Sequence, residues 1–297
     1  MLHYTISADD HCRRLESFLQ RLLPEAQPAY CRKLIKSGAC RLNNATATPA
    51  TLLSAGDLIT LKESTLVNEL LRGTKPAIDL LWQDDRLLVL NKPAGLAMHP
   101  AAEVSENLVD LVSGWLEERH KQPLRAYPVN RLDRGTSGVV LLATSSGNAG
   151  MLGRQVKEEG LDKRYLTVVE GRLEGDGEIN APLDGKESVS RYRCLASGEY
   201  NALLLVEPIT GRTHQIRRHL SLIGHPVMGD KRYNASPLPA LPGIALHSFR
   251  TILQHPTEHH PLTICAPLPA ALRALIIERC DLPESQLLQL LEQTARD

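Results

Sequence analysis

The sequence lacks the features by which several protein classes are recognised at first sight. No run approaches the ~18 apolar residues that a membrane-spanning helix needs. Residues 1–14 contain no apolar stretch of the kind found in secretory signal peptides. The six cysteines are scattered, and none forms the CxxC pair of a zinc ribbon or thioredoxin motif. These absences predict a protein of the reducing cytoplasm that has no membrane partner.

Nucleotide-binding and hydrolase motifs are missing as well. The sequence has no GxGxxG or GxxxxGK(S/T) segment, so no dinucleotide or P-loop site is indicated. It has no GxSxG elbow and no HExxH zinc motif. One histidine-rich stretch, with His255, His259 and His260, lies in a proline-flanked loop where a solvated turn is favoured over a metal site. We therefore expect neither a cofactor nor a metal ion.

Charge is balanced over the whole chain but uneven along it. The 34 basic and 34 acidic residues give a formal net charge of zero. Residues 30–41 contain four Lys and Arg and no acid, and residues 211–232 contain five against a single acid. Local basic patches can bind phosphates whatever the global sum. Solvated helix faces would produce the same pattern, so the distribution leaves both interpretations open.

Apolar periodicity divides the chain into two units. Helical spacing over residues 13–23 and 29–38, followed by strand-like pieces near residues 40–44 and 57–61, predicts a compact N-terminal unit of residues 1–62. Residues 63–78 are mixed and polar, and are predicted to form a linker to a second unit of residues 79–297. In that unit strands outnumber helices and do not alternate strictly with them. This predicts an α+β fold with a mixed, mostly antiparallel central sheet and flanking helices.

The segment NRLDRGTSG, residues 130–138, has the strongest chemical character. Arg131 and Arg134 flank Asp133, and two nearby cations favour its ionised form. Thr136 offers a hydroxyl for positioning a ligand. An ionised carboxylate in such a turn can act as a nucleophile, a base or an ion-pair anchor. An Asp–Arg pair that merely holds the turn together would also fit.

Two further segments are ambiguous when each is considered alone. GRTHQIRRH, residues 211–219, predicts a helix whose arginine forks match carboxylate or phosphate, but a basic surface helix would look alike. Lys163-Arg164-Tyr165 opens a predicted strand, and its tyrosine would fit a core position equally well.

Together the motifs resemble those of the RluA-type pseudouridine synthases. That family's HRLDxxTSG, K-x-Y and GRTHQIRxH motifs correspond to residues 130–138, 163–165 and 211–219, and its NKPxG and LHSF-like motifs to residues 91–95 and 246–249. The agreement in order and spacing covers about residues 79–270. Residues 13–61 resemble, more loosely, the RNA-binding domain named after ribosomal protein S-four. One departure is Asn130, where the family usually has His.

The resemblance implies an RNA pseudouridine synthase, an isomerase that needs no cofactor or metal. It makes Asp133 the essential carboxylate, Arg217 its ion-pair partner, and Tyr165 the residue against the target base. The matched motifs imply further substrate contacts from Arg131, Arg134, Thr136, Arg212, His214, Gln215 and Leu246. RNA binding by the N-terminal unit is expected from Arg32, Lys33, Lys36 and Arg41.

The resemblance leaves the RNA substrate open. Ribosomal RNA is the first expectation because of the N-terminal RNA-binding unit, and transfer RNA is the alternative. A non-catalytic RNA-binding or ribosome-assembly protein on the same fold would have lost its nucleophile, yet Asp133 is present. A glycosidase would need a second acidic residue, and the three central motifs offer none. The protein is expected to act as a monomer.

Overall fold

The computed structural model describes residues 1–71, 78–100, 106–158, 160–258 and 260–297. No helix in these ranges is both long and apolar enough to cross a membrane. The chain begins with a small N-terminal unit, followed by a large sheet flanked by helices.

The N-terminal unit contains the two predicted helices and a three-stranded antiparallel sheet, of which two strands were predicted. Its elements are β1 (Leu2–Thr5), α1 (Leu15–Leu22), α2 (Pro28–Lys36), β2 (Cys40–Leu42) and β3 (Leu58–Leu61), with strand order β1-β3-β2. Pro28 occupies the first turn of α2, where the missing N–H costs no hydrogen bond. The sequence analysis missed β1, a strand of four residues whose side chains alternate between half-buried and exposed.

The segment predicted as a linker contains a short helix, α3 (Thr65–Leu70). Ser64 caps it by accepting a hydrogen bond from the backbone N–H of Val67 at 3.2 Å. Val67 is fully buried in the N-terminal core, so ordered structure continues beyond residue 62. Residues 72–77 of the predicted linker lie outside the described residues, and the domain boundaries stay a prediction.

The large sheet confirms the predicted α+β class. Its ten strands among the described residues are β4 (Leu80–Gln83), β5 (Leu87–Lys92), β6 (Tyr127–Pro128), β7 (Ser137–Ala143), β8 (Asp162–Glu170), β9 (Asp176–Asn180), β10 (Val189–Ser197), β11 (Asn201–Pro208), β12 (Leu246–Gln254) and β13 (Pro261–Cys265). The order is β4-β5-β7-β12-β8-β11-β10-β9, with β6 paired to β7 and β13 to β12. The pairing of β7 with β12 is parallel, and the other pairs are antiparallel.

Five helices accompany this sheet: α4 (Leu108–His120), α5 (Ser146–Glu158), α6 (Gln215–Leu222), α7 (Ala270–Arg279) and α8 (Glu284–Arg296). The sequence analysis missed α5 because three glycines interrupt its helical pattern. Leu152, which is fully buried, anchors α5 to the protein core. Burial of this side chain offsets the poor intrinsic propensity of the segment.

Strand β7 is buried at every position, which explains its continuous apolar sequence. Gly138 near its start has φ +109°, and a Cβ there would lie 2.2 Å from the carbonyl oxygen of Ser248 on β12. The last glycine of the NRLDRGTSG segment is therefore required by the close parallel approach of two backbones. This approach brings the loop before β7 next to β12 and, beyond it, β8.

A buried ion network joins the N-terminal unit to the large sheet. Arg13 is 1% exposed and donates to both carboxylate oxygens of Asp79, at 2.7 and 2.9 Å, just before β4. Its Nε lies 2.8 Å from Oδ1 of the buried Asp10. Ser17 adds a hydrogen bond of 2.6 Å to the carbonyl of Leu80. Because these charges are withdrawn from water, each depends on its partners.

We predict that Arg13→Ala lowers the free energy of unfolding by about 3–5 kcal/mol, because it removes a buried cation that bridges the buried Asp10 and the half-buried Asp79. Arg172→Ala is the matched control. It removes an arginine whose pair with Glu174 is exposed, and it should cost less than about 1 kcal/mol. Urea unfolding of the three proteins measures both values. Equal losses in the two variants would contradict a structural role for the network.

Candidate active site

The loop that carries Asp133 is held by backbone hydrogen bonds on both sides. The N–H of Thr136 donates to the carbonyl of Asp133 at 3.1 Å and closes the turn. The N–H of Gly95 donates to the carbonyl of Arg134 at 2.8 Å, and Nε of Arg134 donates to the carbonyl of Gly95 at 2.9 Å. The NKPAG segment, residues 91–95, therefore supports the Asp133 loop through these hydrogen bonds.

Asn130 has a structural contact that accounts for its presence in this loop. Its Oδ1 accepts a hydrogen bond from the backbone N–H of Leu141 at 2.8 Å, which ties the start of the loop to the neighbouring strand β7. The amide at this position is thus used to orient the loop that contains Asp133.

A buried lysine lies beneath the same loop. Lys92 is 0% exposed, and its ammonium donates to the carbonyls of Pro93, Leu96 and Arg134 at 3.0, 2.9 and 3.3 Å. Burial lowers the pKa of Lys92 to about 8, against the opposing influence of the Asp133 charge. The sequence analysis recognised the NKPxG motif but assigned no role to this lysine.

Asp133, Arg217 and Asp230 form a chain of ion pairs. Nη1 of Arg217 donates to Oδ2 of Asp133 at 2.7 Å, while its Nε and Nη2 donate to the two oxygens of Asp230 at 2.6 and 2.9 Å. Asp230 is 2% exposed, so the arginine is fixed from the protein interior. The structure brings Asp133 and Arg217 together, as the resemblance implies. Asp230 was not singled out from the sequence, where nothing distinguishes it from other acids.

His214 lies beside Asp133 in a strained backbone conformation. It precedes α6 with φ +53°, a left-handed value that side chains other than glycine rarely adopt. Its Nδ1 forms a hydrogen bond of 2.8 Å with the hydroxyl of Tyr233, and its Nε2 lies 3.6 Å from Oδ1 of Asp133. Burial lowers the pKa of His214, which favours a neutral imidazole next to the carboxylate.

Tyr165 lies on β8 and is 8% exposed. Burial raises the pKa of its hydroxyl to about 12, and the nearby charge of Asp133 acts in the same direction. The residue is therefore a neutral ring at physiological pH. It is paired with Ser248 of β12, next to a bulge at which the register of the two strands shifts.

Two clefts meet at Asp133. One of about 360 Å³ brings Asp133 together with Thr136, Lys163, Tyr165, Arg217 and Leu246. The other, of about 700 Å³, is lined by His99 and four arginines, Arg131, Arg134, Arg212 and Arg232. All four arginines are exposed, and none forms an ion pair with a carboxylate in the described part of the chain. Arg217, the fifth arginine of this cleft, is paired with Asp133, so the four unpaired arginines leave the second cleft positive.

Gln215 lines the smaller cleft, and its side-chain amide is held by hydrogen bonds within the protein. Its Oε1 accepts from Thr210 Oγ1 and the N–H of Arg212, at 2.6 and 3.0 Å. Its Nε2 donates to the carbonyl of Val189 and to Ser190 Oγ, at 2.9 and 3.0 Å. All four hydrogen-bonding positions of the amide are thus occupied by protein. Gln215 shapes the turn before α6, and its predicted contact with the substrate stays a prediction.

The basic residues predicted on the N-terminal unit lie apart from both clefts. Lys33, Lys36 and Arg41 are exposed on α2 and β2, elements that line neither cleft. Arg32 lies 3.7 Å from Glu16, so its charge is partly neutralised. Within the described ranges no group of three or more His, Cys, Asp or Glu could hold a metal ion. His259 of the predicted histidine-rich stretch lies outside them.

The fold and site place a carboxylate paired with an arginine between two clefts, one of which carries unpaired arginines suited to a polyanionic substrate. The family model of the RNA pseudouridylate synthases matches residues 86–222. The chain is 31% identical over 298 residues to ribosomal large subunit pseudouridine synthase D of Nitrosomonas europaea, covering 92% of this chain and 86% of that protein. It is 30% identical over 304 residues to synthase C of Yersinia pestis, covering 92% and 94%.

A solved structure agrees with these relatives. Human RNA pseudouridylate synthase domain containing 4 matches with a TM-score of 0.54 and 25% identity, over 68% of this chain and 92% of that one. The chain therefore belongs to the RNA pseudouridine synthase family. The predicted enzyme class, an isomerase that acts on RNA, is confirmed.

We predict that Asp230→Ala slows pseudouridine formation by about 100-fold, because Arg217 loses the two bonds that aim it at Asp133. Asp184→Ala is the matched control. Asp184 accepts the same two-bond pair from the next residue of α6, Arg218, but on the protein surface. Its loss should leave the rate within about twofold, since exposed pairs contribute little. Single-turnover rates test both, and an equal effect of the two substitutions would contradict the assignment.

Proposed function

We propose that this protein isomerises specific uridines of ribosomal RNA to pseudouridine, with Asp133 as the essential carboxylate. The observation that carries the proposal is the Asp133–Arg217 pair at the meeting point of two clefts, one of them lined by four arginines without counter-ions. The names of the two relatives given above support ribosomal RNA over transfer RNA.

The reaction breaks the bond between uracil N1 and the ribose C1′ and joins C1′ to uracil C5. Asp133 can serve as a nucleophile at C1′, as a nucleophile toward the ring, or as the base of a glycal route. Each route requires the ionised carboxylate, which the guanidinium of Arg217 stabilises. The reaction causes no change in oxidation state, and a single proton is exchanged at C5.

The target uridine must leave its stack before Asp133 can reach the sugar, at a cost of a few kcal/mol. Arg131, Arg134, Arg212 and Arg232 can offset this cost by binding the flanking phosphates. Tyr165 offers a neutral aromatic ring to the extruded base, and Leu246 and Thr136 close the same cleft. His214, which lines both clefts, is placed to contact the sugar between them.

The N-terminal unit would hold RNA by its phosphates. Lys33, Lys36 and Arg41 project from one region of the unit with no carboxylate partner in the described part of the chain. They would add affinity without reading sequence. Arg32 contributes less, because Glu16 lies beside it.

A cytoplasmic location and a monomeric state complete the proposal. All six cysteines are free thiols, which fits a reducing compartment. Light scattering in solution would test the monomer.

We predict that Asp133→Asn abolishes tritium release from RNA labelled at uracil C5, a loss of at least about 10⁴-fold, because the amide cannot replace an ionised carboxylate. RNA affinity should change by less than about threefold, since most binding comes from phosphate contacts. Asp85→Asn, at an exposed turn, is the control.

The assay compares unmodified ribosomal and transfer RNA. Release from ribosomal RNA by the wild type alone is the expected result. Release from transfer RNA only would replace the proposed substrate by its alternative, and turnover by Asp133→Asn would refute the role of Asp133.

We predict that the triple substitution of Lys33, Lys36 and Arg41 by Ala weakens RNA binding and reduces its salt dependence. The slope of log K against log salt should fall by about two to three, because three phosphate contacts are lost. The single-turnover rate at saturating enzyme should not change. The control replaces Arg172, Arg191 and Arg193, which are exposed but paired with carboxylates. An unaltered Kd in the first triple variant would contradict an RNA contact there.

A further inference from the structure

Lys163 is a cation on the same side of β8 as Tyr165. Successive strand residues point to opposite faces, so residues 163 and 165 share the face that lines the smaller cleft. Arg164 between them points to the other face, where it lies 2.6 Å from Glu207 and 3.3 Å from Asp162. Arg164 is thus neutralised by acidic side chains, whereas its neighbour Lys163 faces the cleft that contains Asp133.

The ammonium of Lys163 has no carboxylate partner and no hydrogen bond within the residues that the structure describes. It is half-buried, and burial lowers its pKa. Withdrawing a cation from water without a counter-charge destabilises the folded protein. Such an arrangement at a cleft indicates that a ligand supplies the missing negative charge.

The backbone around Lys163 is arranged to keep its side chain open to the cleft. Pairing between β8 and β11 ends at Tyr165 and Val206, and Pro208 beyond that point lines the cleft. On the other side, the register between β8 and β12 shifts between Ser248 and Arg250, opposite Tyr165 and Arg164. A bulge of this kind turns the adjacent side chains relative to a regular sheet. Lys163 therefore lies beyond the end of the β8–β11 ladder, while its backbone stays paired with Thr251 of β12.

The other cations in or beneath the smaller cleft are either fully engaged by protein groups or shared with the larger cleft. Arg217 is fully engaged by Asp133 and Asp230, and Lys92 by three backbone carbonyls. Arg131 and Arg212 are exposed and also line the larger cleft, where phosphates are expected. Lys163 lies on the same strand as Tyr165, and of these cations it is the one that lines the smaller cleft but not the larger.

We propose that Lys163 is a further catalytic residue, whose ammonium stabilises the negative charge that the uracil ring acquires during the reaction. When the N1–C1′ bond breaks, its electron pair stays on N1 and is delocalised onto O2 and O4. In the nucleophilic route C1′ is then bonded to Asp133. In the glycal route Asp133 has instead removed a proton from C2′.

Formation of the C5–C1′ bond returns those electrons. The carboxylate is released, or the C2′ proton is returned, and the C5 proton then leaves. Lys163 keeps its own proton throughout, and the step rests on the function proposed above.

The first test replaces Lys163 by Met, which keeps its length but removes the charge, and by Arg, which keeps the charge. Arg164→Met is the matched control on the opposite face. Single-turnover rates at saturating enzyme should fall about 100-fold for Lys163→Met, the size of effect seen when one stabilising donor is removed. Lys163→Arg should recover at least a tenth of the wild-type rate, and Arg164→Met nearly all of it. RNA Kd and melting temperature are measured for each variant.

The second test changes the leaving group. Fluorine at C5 withdraws electrons and makes the uracil anion less basic, so it needs less stabilisation. The rate ratio of wild type to Lys163→Met should be at least fivefold smaller for RNA with 5-fluorouridine than with uridine. Each rate is taken from the loss of the N-linked nucleoside after digestion, because fluorine replaces the proton that leaves C5 in the last step. A purely structural loss would affect both substrates equally.

Several outcomes would overturn the proposal. A normal rate in Lys163→Met would do so, as would equal rate ratios for the two substrates. A raised Kd with an unchanged saturating rate would identify Lys163 as a phosphate contact instead. Inactive wild-type protein would refute the proposed function itself. If Asp133→Asn were inactive but Lys163→Met had the wild-type rate, the proposed function would stand and Lys163 would have no role in it.

Discussion

The pairing of Asp133 with Arg217 depends on a second carboxylate, that of Asp230, behind the arginine. The three residues come from the loop before β7, from α6 and from the segment after it. Two carboxylates share one guanidinium, so removing Arg217 would leave both carboxylates without their counter-ion, whereas removing Asp230 would leave the arginine held by Asp133 alone. The β7–β12 junction, the turn before α6 and the buried Lys92 all serve to bring these segments together. If these three residues were misplaced, the protein would retain its sheet, but the carboxylate of Asp133 would no longer be held in a defined position for the reaction.

Much of this arrangement was accessible from the sequence, for reasons that differ between residues. Asp133, Tyr165 and Arg217 stand in motifs whose order alone is informative, and the structure brings all three to one cleft. Strand β7 was evident because a strand buried on both faces reads as an unbroken apolar run. Helix α5 was not evident, since its glycines conceal a segment that is stabilised by tertiary packing. Asp230 and Lys92 were missed because their importance lies in partners remote in sequence or in backbone carbonyls, which no pattern of side chains records.

Neighbouring residues of one motif turn out to have unrelated tasks. In the segment before and within α6, His214 adopts a strained backbone beside Asp133, Gln215 is fully occupied in shaping the turn, Arg217 is buried, and Arg218 pairs with Asp184 on the surface. Lys163 and Arg164 divide in the same way across the two faces of β8. The period of the helix or strand decides which side chains reach the cleft, whereas a motif only shows that the segment matters. Predictions carried over a whole motif therefore include residues, such as Gln215, whose polar atoms are engaged within the protein.

The ion network around Arg13 has a consequence for how an RNA would be chosen. Arg13 belongs to the N-terminal unit and Asp79 to the start of the large sheet, and both carboxylate oxygens are engaged. The N-terminal unit therefore cannot swing freely while this network is intact. An RNA gripped on α2 and presented to Asp133 would meet two points at a fixed separation. In such a protein, a uridine would reach Asp133 only if it lay at the right distance along the RNA from the bound phosphates. That selection by distance would need no contact with a base.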